Sequence, residues 1–197
     1  MTGPRVSRGF TLLEVLLVIA VVAMLAAAVI PRADPLGQDQ LLSAGQAVSG
    51  DLAYARSLAV ANNSKYKLTF DLAGNRYILT HSGVNVSLNT LPRTAWTRSE
   101  DPATQQTTDL DEVPHIGPPP KLLAVGVYTS SSASPISEVE FGPLGELTQG
   151  TDVVVWLTVT TRNGQGYLPL AINAVTGLTT VGQYSSYGPP ASLLATH

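Results

Sequence analysis

The chain has 197 residues, 44% of them hydrophobic, and a formal charge of −3, which allows one globular domain plus an appendage. It contains no cysteine, so disulfides, cysteine-based metal sites and thiol nucleophiles are excluded. The acidic balance argues against polyanions as general partners.

The first element is an apolar run. Phe10 to Ile30 is a stretch of 21 residues with a single charge, Glu14, and as a helix it would extend about 31 Å, enough to cross a bilayer. Arg5 and Arg8 precede it and no acidic residue does, so the positive-inside bias keeps the short N-terminus cytoplasmic and sends the remainder outward. An acidic residue costs about 2.5–3.5 kcal/mol at the centre of a membrane helix and less toward an end. Glu14 therefore calls for a compensating partner. Gly9, just before the run, has no side chain to shield its backbone. Two plainer readings exist. A secretory signal peptide ending at Ala26-Ala27-Ala28 would carry an acidic residue in its apolar core, and an unprocessed anchor leaves Glu14 without a reason.

The stretch Ser7-Arg8-Gly9-Phe10-Thr11-Leu12-Leu13-Glu14-Val15 closely resembles the processing site of type IV pilins and type II secretion pseudopilins. The resemblance implies that a membrane-embedded prepilin peptidase removes residues 1–9, cutting between Gly9 and Phe10. It also implies that the new Phe10 amine is methylated and pairs with Glu14 when subunits assemble. Residues 10–30 would then be a transmembrane and assembly helix. Loss of the leader leaves nine basic against fourteen acidic residues.

Pro31, Pro35 and Gly37 follow, and predict a bend or local melting. Beyond them Leu41, Val48, Leu52, Ala55 and Ala59 recur at helical spacing, with Gln46, Ser49, Asp51 and Arg56 between them, so residues 31–63 read as an amphipathic continuation of the helix. Asn62-Asn63-Ser64 is its expected stop. The period then changes to short extended segments. Strands are predicted over 65–70, 76–80, 138–141, 153–161, 167–172 and 178–182, with turn chemistry at 71–75, 142–145, 162–166 and 173–177. The run Val153-Val154-Val155-Trp156-Leu157 is apolar on both faces, which predicts a central strand with the helix on one side and another layer on the other. Within a β domain spanning 64–183, the proline-rich stretch 92–120 reads as a surface excursion. Residues 184–197 read as a flexible tail.

A second resemblance lies in Asp51 to Val60, Val139 to Gly145 and Ala171 to Leu178, which look like the GspH/FimT type of minor pseudopilins and minor pilins. It implies an α+β, pilin-like fold, a long N-terminal helix packed on an antiparallel β-sheet domain, and a place near a filament tip. The expected function is that of a minor pseudopilin in a type II secretion system, with a minor pilin of a type IV pilus as the alternative. Expected partners are other pilin or pseudopilin subunits, the prepilin peptidase and an inner-membrane assembly platform. The expected location is the inner membrane, single-pass, with a periplasmic domain.

No cofactor, metal or catalytic residue is predicted. His81, His115 and His197 suggest no Ser-His-acid or metal-ligand arrangement. Asp109, Asp111 and Glu112 lack the spacing of a calcium loop and read as a solvated acidic loop, and Arg56 as a solvated helix face. Some type IV pilus members of this type bind DNA through basic residues near the C-terminus. No Lys or Arg follows Arg162, so nucleic acid is an unlikely partner.

Overall fold

The computed structural model describes residues 11–29, 35–94, 97–113, 118–129, 132–161 and 164–194. The chain divides into two compact units, Met1–Ala33 and Asp34–His197. The first is represented by helix α1, Leu12–Val29, in which every described side chain to Met24 is exposed. Among the described residues no helix is long and apolar enough to cross a membrane. The span expected over 10–30 falls partly outside them.

The second unit opens with helix α2, Pro35–Ala61. A bend was expected around Pro35 and Gly37, yet both are helical. Proline fits a first helical position because its missing N–H would have had no intrahelical partner there. Residues 31–34 lie outside the described set. The five apolar positions expected to form the buried stripe, Leu41, Val48, Leu52, Ala55 and Ala59, are all fully buried, joined by Ala44. The helix stops as its sequence predicts. Asn63 takes a left-handed conformation (φ 45°), its N–H donates to the Val60 carbonyl, and the Ser64 N–H reaches back to Ala59. This is a Schellman cap, with Asn in place of the usual glycine.

The β domain contains two sheets where one was expected. The first holds β1 (Tyr66–Asp71), β2 (Arg76–His81), β3 (Gln105–Asp109) and β6 (Glu138–Phe141), in the order β3-β2-β1-β6. The second holds β4 (Lys121–Tyr128), β5 (Ala133–Pro135), β7 (Val153–Thr161), β8 (Gly164–Ile172) and β9 (Thr179–Val181), in the order β5-β4-β7-β8-β9. All pairings are antiparallel. After β5 the chain crosses to the first sheet, where β6 pairs with β1. Helix α2 touches β1 and β6 in one sheet and β7, β8 and β9 in the other. A single core thus runs beneath both.

Three segments depart from expectation. The excursion at 92–120 contains β3, and Leu110 within it is fully buried. Strand β7 is central, but only Val153, Val155, Leu157 and Val159 are buried while alternate residues are half-exposed, so its second face is partly covered. Part of that cover is the tail expected to be flexible. There a short helix α3 (Ala191–Leu194) buries Leu193 against Gly126, which faces the same side as Val154, while Ser185 bridges to Tyr167 and the Tyr184 ring packs on the core side over Gly166.

The approach of α2 to β8 depends on Gly45, where an added Cβ would lie 2.5 Å from Leu168 Cδ2. Leu168 is itself fully buried and has little room to yield. Gly45→Val is expected to cost about 1–3 kcal/mol through overpacking. A lowered urea midpoint with an unchanged slope would show it.

Candidate assembly site

The N-terminal residues come first. Thr11 precedes α1 and caps it, its Oγ1 and carbonyl both accepting from the Glu14 N–H, at 3.2 and 3.0 Å. Thr11-Leu12-Leu13-Glu14 has the spacing of a capping box, a signal readable in the sequence but passed over there. Glu14 occupies the first turn, where the helix dipole favours a negative charge. Its carboxylate is exposed, as are Leu12, Leu13, Leu16 and Leu17 around it. Gly9 and Phe10, the expected cleavage pair, lie outside the described residues.

In the domain, the segments that carried the second resemblance converge. Arg56 Nε donates to the Thr176 carbonyl at 2.7 Å. Gly145 (φ 84°) and Gly177 (φ 62°) are left-handed, and a Cβ on Gly177 would fall 1.9 Å from the Gly145 carbonyl oxygen. Only glycine fits there. Arg56 is therefore not a solvated cation. It latches the end of α2 to the β8–β9 loop, which leans on the β6–β7 loop.

A Ser-His-amide chain also appears, where the sequence suggested no such arrangement. His81 Nε2 lies 2.7 Å from Ser64 Oγ and His81 Nδ1 lies 2.8 Å from Asn89 Oδ1. The pattern suits Nδ1–H donating to the Asn89 amide oxygen while Nε2 accepts the Ser64 hydroxyl proton. Its surroundings are poor for nucleophilic catalysis. Ser64 is 9% exposed, and a Cβ on Gly83 would come within 2.1 Å of its hydroxyl. The third member is an amide, and Ser64 sits just past the C-terminus of α2, where the helix dipole is negative and opposes an oxyanion. The three residues tie α2 to β2 and to the 3₁₀ turn Val86–Asn89. Of the other histidines, His115 and His197 lie outside the described residues.

The acidic loop is engaged within the domain. Arg98 pairs with Glu112 and lies 4.0 Å from Asp109, while Asp111 accepts from the Asn75 side chain. Among the described residues no group of three or more His, Asp or Glu side chains is placed to hold a metal ion.

Asp51 was read only as a polar position on α2. Its Oδ2 accepts from both the Tyr77 and Thr108 hydroxyls, each at 2.8 Å. Burial, and then the negative Asp51, push the Tyr77 phenol well above its usual range. A folded-state pKa raised above the unfolded value means the stabilisation is complete below about pH 10 and falls as pH rises further. The stability of the parent should fall more steeply above pH 10 than that of Tyr77→Phe, as measured by urea unfolding across that range.

Residues 4–30 match the family model described as the prokaryotic N-terminal methylation motif. The stretch singled out from the sequence lies within it. No curated protein matches the chain. Two crystal structures of the type IV minor pilin FimU of Pseudomonas aeruginosa align with TM-scores of 0.43 and 0.45, both at 19% identity, covering 76% and 81% of this chain and 97% of each of those. The minor pseudopilin EpsH from the type 2 secretion system of Vibrio cholerae aligns with a TM-score of 0.43 at 10% identity, covering 73% of this chain and 97% of that one. The chain carries the prokaryotic N-terminal methylation motif, and its fold is α+β.

Proposed function

We propose that this chain is a minor pseudopilin of a type II secretion system. In this reading it is a single-pass inner-membrane protein with a periplasmic domain, cut after Gly9 by prepilin peptidase and methylated at Phe10. Its N-terminal helix then packs with those of other subunits in a pseudopilus, near the tip. The carrying observation is the methylation motif over residues 4–30, which includes the capped first turn of α1 and its exposed apolar side chains. Such a helix needs lipid or other helices around it. In either setting Glu14 is costly alone, and the amine that cleavage creates at Phe10 turns two unfavourable charges into one pair.

The role is mechanical. Filament growth is driven by the machinery's cytoplasmic ATPase, working through the inner-membrane platform, and the chain itself performs no catalysis. A minor pilin of a type IV pilus shares the same start and is the alternative. The absence of Lys and Arg after Arg162 removes the cations a DNA receptor would place near its C-terminus, which favours secretion. Saturable DNA binding by the full-length chain at physiological salt would reverse that choice.

Mass spectrometry of the chain isolated from membranes is expected to show an N-terminal Phe10 bearing one methyl group. A start at Met1, or at a residue near position 29, overturns the processing.

A further inference from the structure

Residues 183–194 leave the edge of the second sheet and return across its outer face. Tyr184 packs on the core side over Gly166. Ser185 then pairs with Tyr167, its N–H donating to the Tyr167 carbonyl at 2.9 Å and its carbonyl accepting from the Tyr167 N–H at 2.8 Å. Gly188 lies against the Tyr167 ring, where an added Cβ would stand 3.0 Å away, and Leu193 lies over Gly126, where a Cβ would fall 2.5 Å from its Cδ2. Tyr167 is level with Thr158 on β7, and Gly126 is level with Val154. The position of β7 between these two, on the same face, is 156. The segment therefore crosses the sheet at Trp156, which is half-buried and donates its indole N–H to the Tyr128 hydroxyl at 2.9 Å.

The crossing is held at few points. Eight of the twelve residues 183–194 are exposed, and Pro189 and Leu193 are the buried ones. Among the described residues, the backbone bonds that tie the segment to another strand are the two at Ser185, while those of the Tyr187 and Leu193 N–H groups close within it. Two hydrogen bonds and a pair of buried side chains stand against the entropy lost in ordering a dozen residues, which is close to a balance. Strand β7 beneath is paired along its whole length by β8 and along most of it by β4. A terminal segment with so few buried contacts opens at a free energy far below that of the sheet it lies on. Pro189 and Pro190 stiffen the stretch between the two anchors, so release at one is felt at the other.

We propose that residues 183–194 form a detachable strap, which undocks as one piece while the domain stays folded and uncovers Trp156 and Tyr167 on the outer face of the second sheet. The cover is built into the chain. The glycines at 126 and 188 leave room for it, and its two buried side chains hold it closed without locking it. Any ligand of this face must first displace the chain's own tail.

The test is native-state hydrogen exchange on the full-length chain in detergent micelles, read residue by residue. The Ser185 and Tyr167 N–H groups are expected to exchange at one common rate, insensitive to low urea and about a hundredfold or more faster than those of Val155 and Leu157 in β7. Exchange in step with β7 overturns the proposal, because the segment then opens only with the domain. Exchange at the rate of an unstructured chain also overturns it, because the segment then never docks. Leu193→Asp removes the far anchor, and is expected to speed exchange at Ser185 and Tyr167 about tenfold or more while Val155 and Leu157 keep their rates. An unchanged rate at Ser185, or an equal rise in β7, overturns release as one piece. Trp96→Phe leaves Trp156 as the single tryptophan. In that background Leu193→Asp is expected to raise acrylamide quenching about twofold, and unaltered quenching overturns the cover over Trp156.

Discussion

A Glu14→Ala chain is expected to be cleaved and methylated as the parent is, and to enter filaments at no more than about a hundredth of the parent's level. The argument is one of unpaired charge. In the proposed reading cleavage leaves an ammonium at Phe10, and once that end of the helix is surrounded by other helices, the amine without its carboxylate is a buried charge with no partner. Removing one member of such a pair is more damaging than removing both. Glu14→Gln separates this from a local effect on the helix. Glutamine is accepted at the third position of a capping box, so the turn begun by Thr11 keeps its form while the charge disappears. Both variants should fail alike, scored as the ratio of assembled to membrane-held chain. Recovery by Glu14→Gln would assign the effect to the cap.

The second large effect concerns a residue far from that segment. Asn75 closes the β1–β2 hairpin in a left-handed conformation (φ 50°) and is 4% exposed. Its side-chain nitrogen donates to Asp111 Oδ1 and to the Pro120 carbonyl, and its oxygen accepts from the Leu122 N–H at 2.8 Å. One amide thereby joins the first sheet, the loop after β3 and the start of β4. Asn75→Ala leaves buried groups at Pro120 and Leu122 unpaired, at about 1–3 kcal/mol each, and adds about 1 kcal/mol for alanine in a left-handed conformation. A loss of about 3–7 kcal/mol is expected, enough to unfold many domains of this size. Asn75→Gly should recover only the backbone share. If both variants lose the same amount, the left-handed conformation contributes nothing. If Asn75→Ala loses less than about 1 kcal/mol, the hydrogen bonds do not carry the junction.

How far the sequence discloses this architecture depends on whether a local pattern survives packing. The stripe of α2 was legible because one side of a long helix meets the core, so its period persists from Leu41 to Ala59. The bounds of β6 and β7 were legible for the corresponding reason in strands. Strand β3 was not. Its residues, Gln105 to Asp109, are polar, and they are held by β2 and by the bond from Thr108 to Asp51. Strand β4 lacks clean alternation because its register shifts between Leu122 and Ala124, and Gly126 interrupts it to admit Leu193. The division into two sheets had no local signature, since it rests on β6 choosing β1 as its neighbour.

The site divides in the same way. The expectations at Gly9, Phe10 and Glu14 rest on one short stretch of sequence, and the methylation motif matched over residues 4–30 spans it. The Ser64-His81-Asn89 chain and the Asp51-Tyr77-Thr108 cluster join positions that only the tertiary fold brings together. Arg56 misled for that reason. An arginine between buried helix positions looks like a solvated charge until its acceptor, 120 residues away in sequence, is in place.

That separation bears on how the chain is made. The partners of α2 include β7, β8 and β9, the last strands to be synthesised, so its apolar stripe has no complete cover until nearly the whole polypeptide has been delivered. Contacts this distant in sequence close slowly. If the domain is exported as proposed, one wired in this way would cross as an open chain and fold afterwards, with α2 exposed throughout the crossing to chaperones and proteases alike.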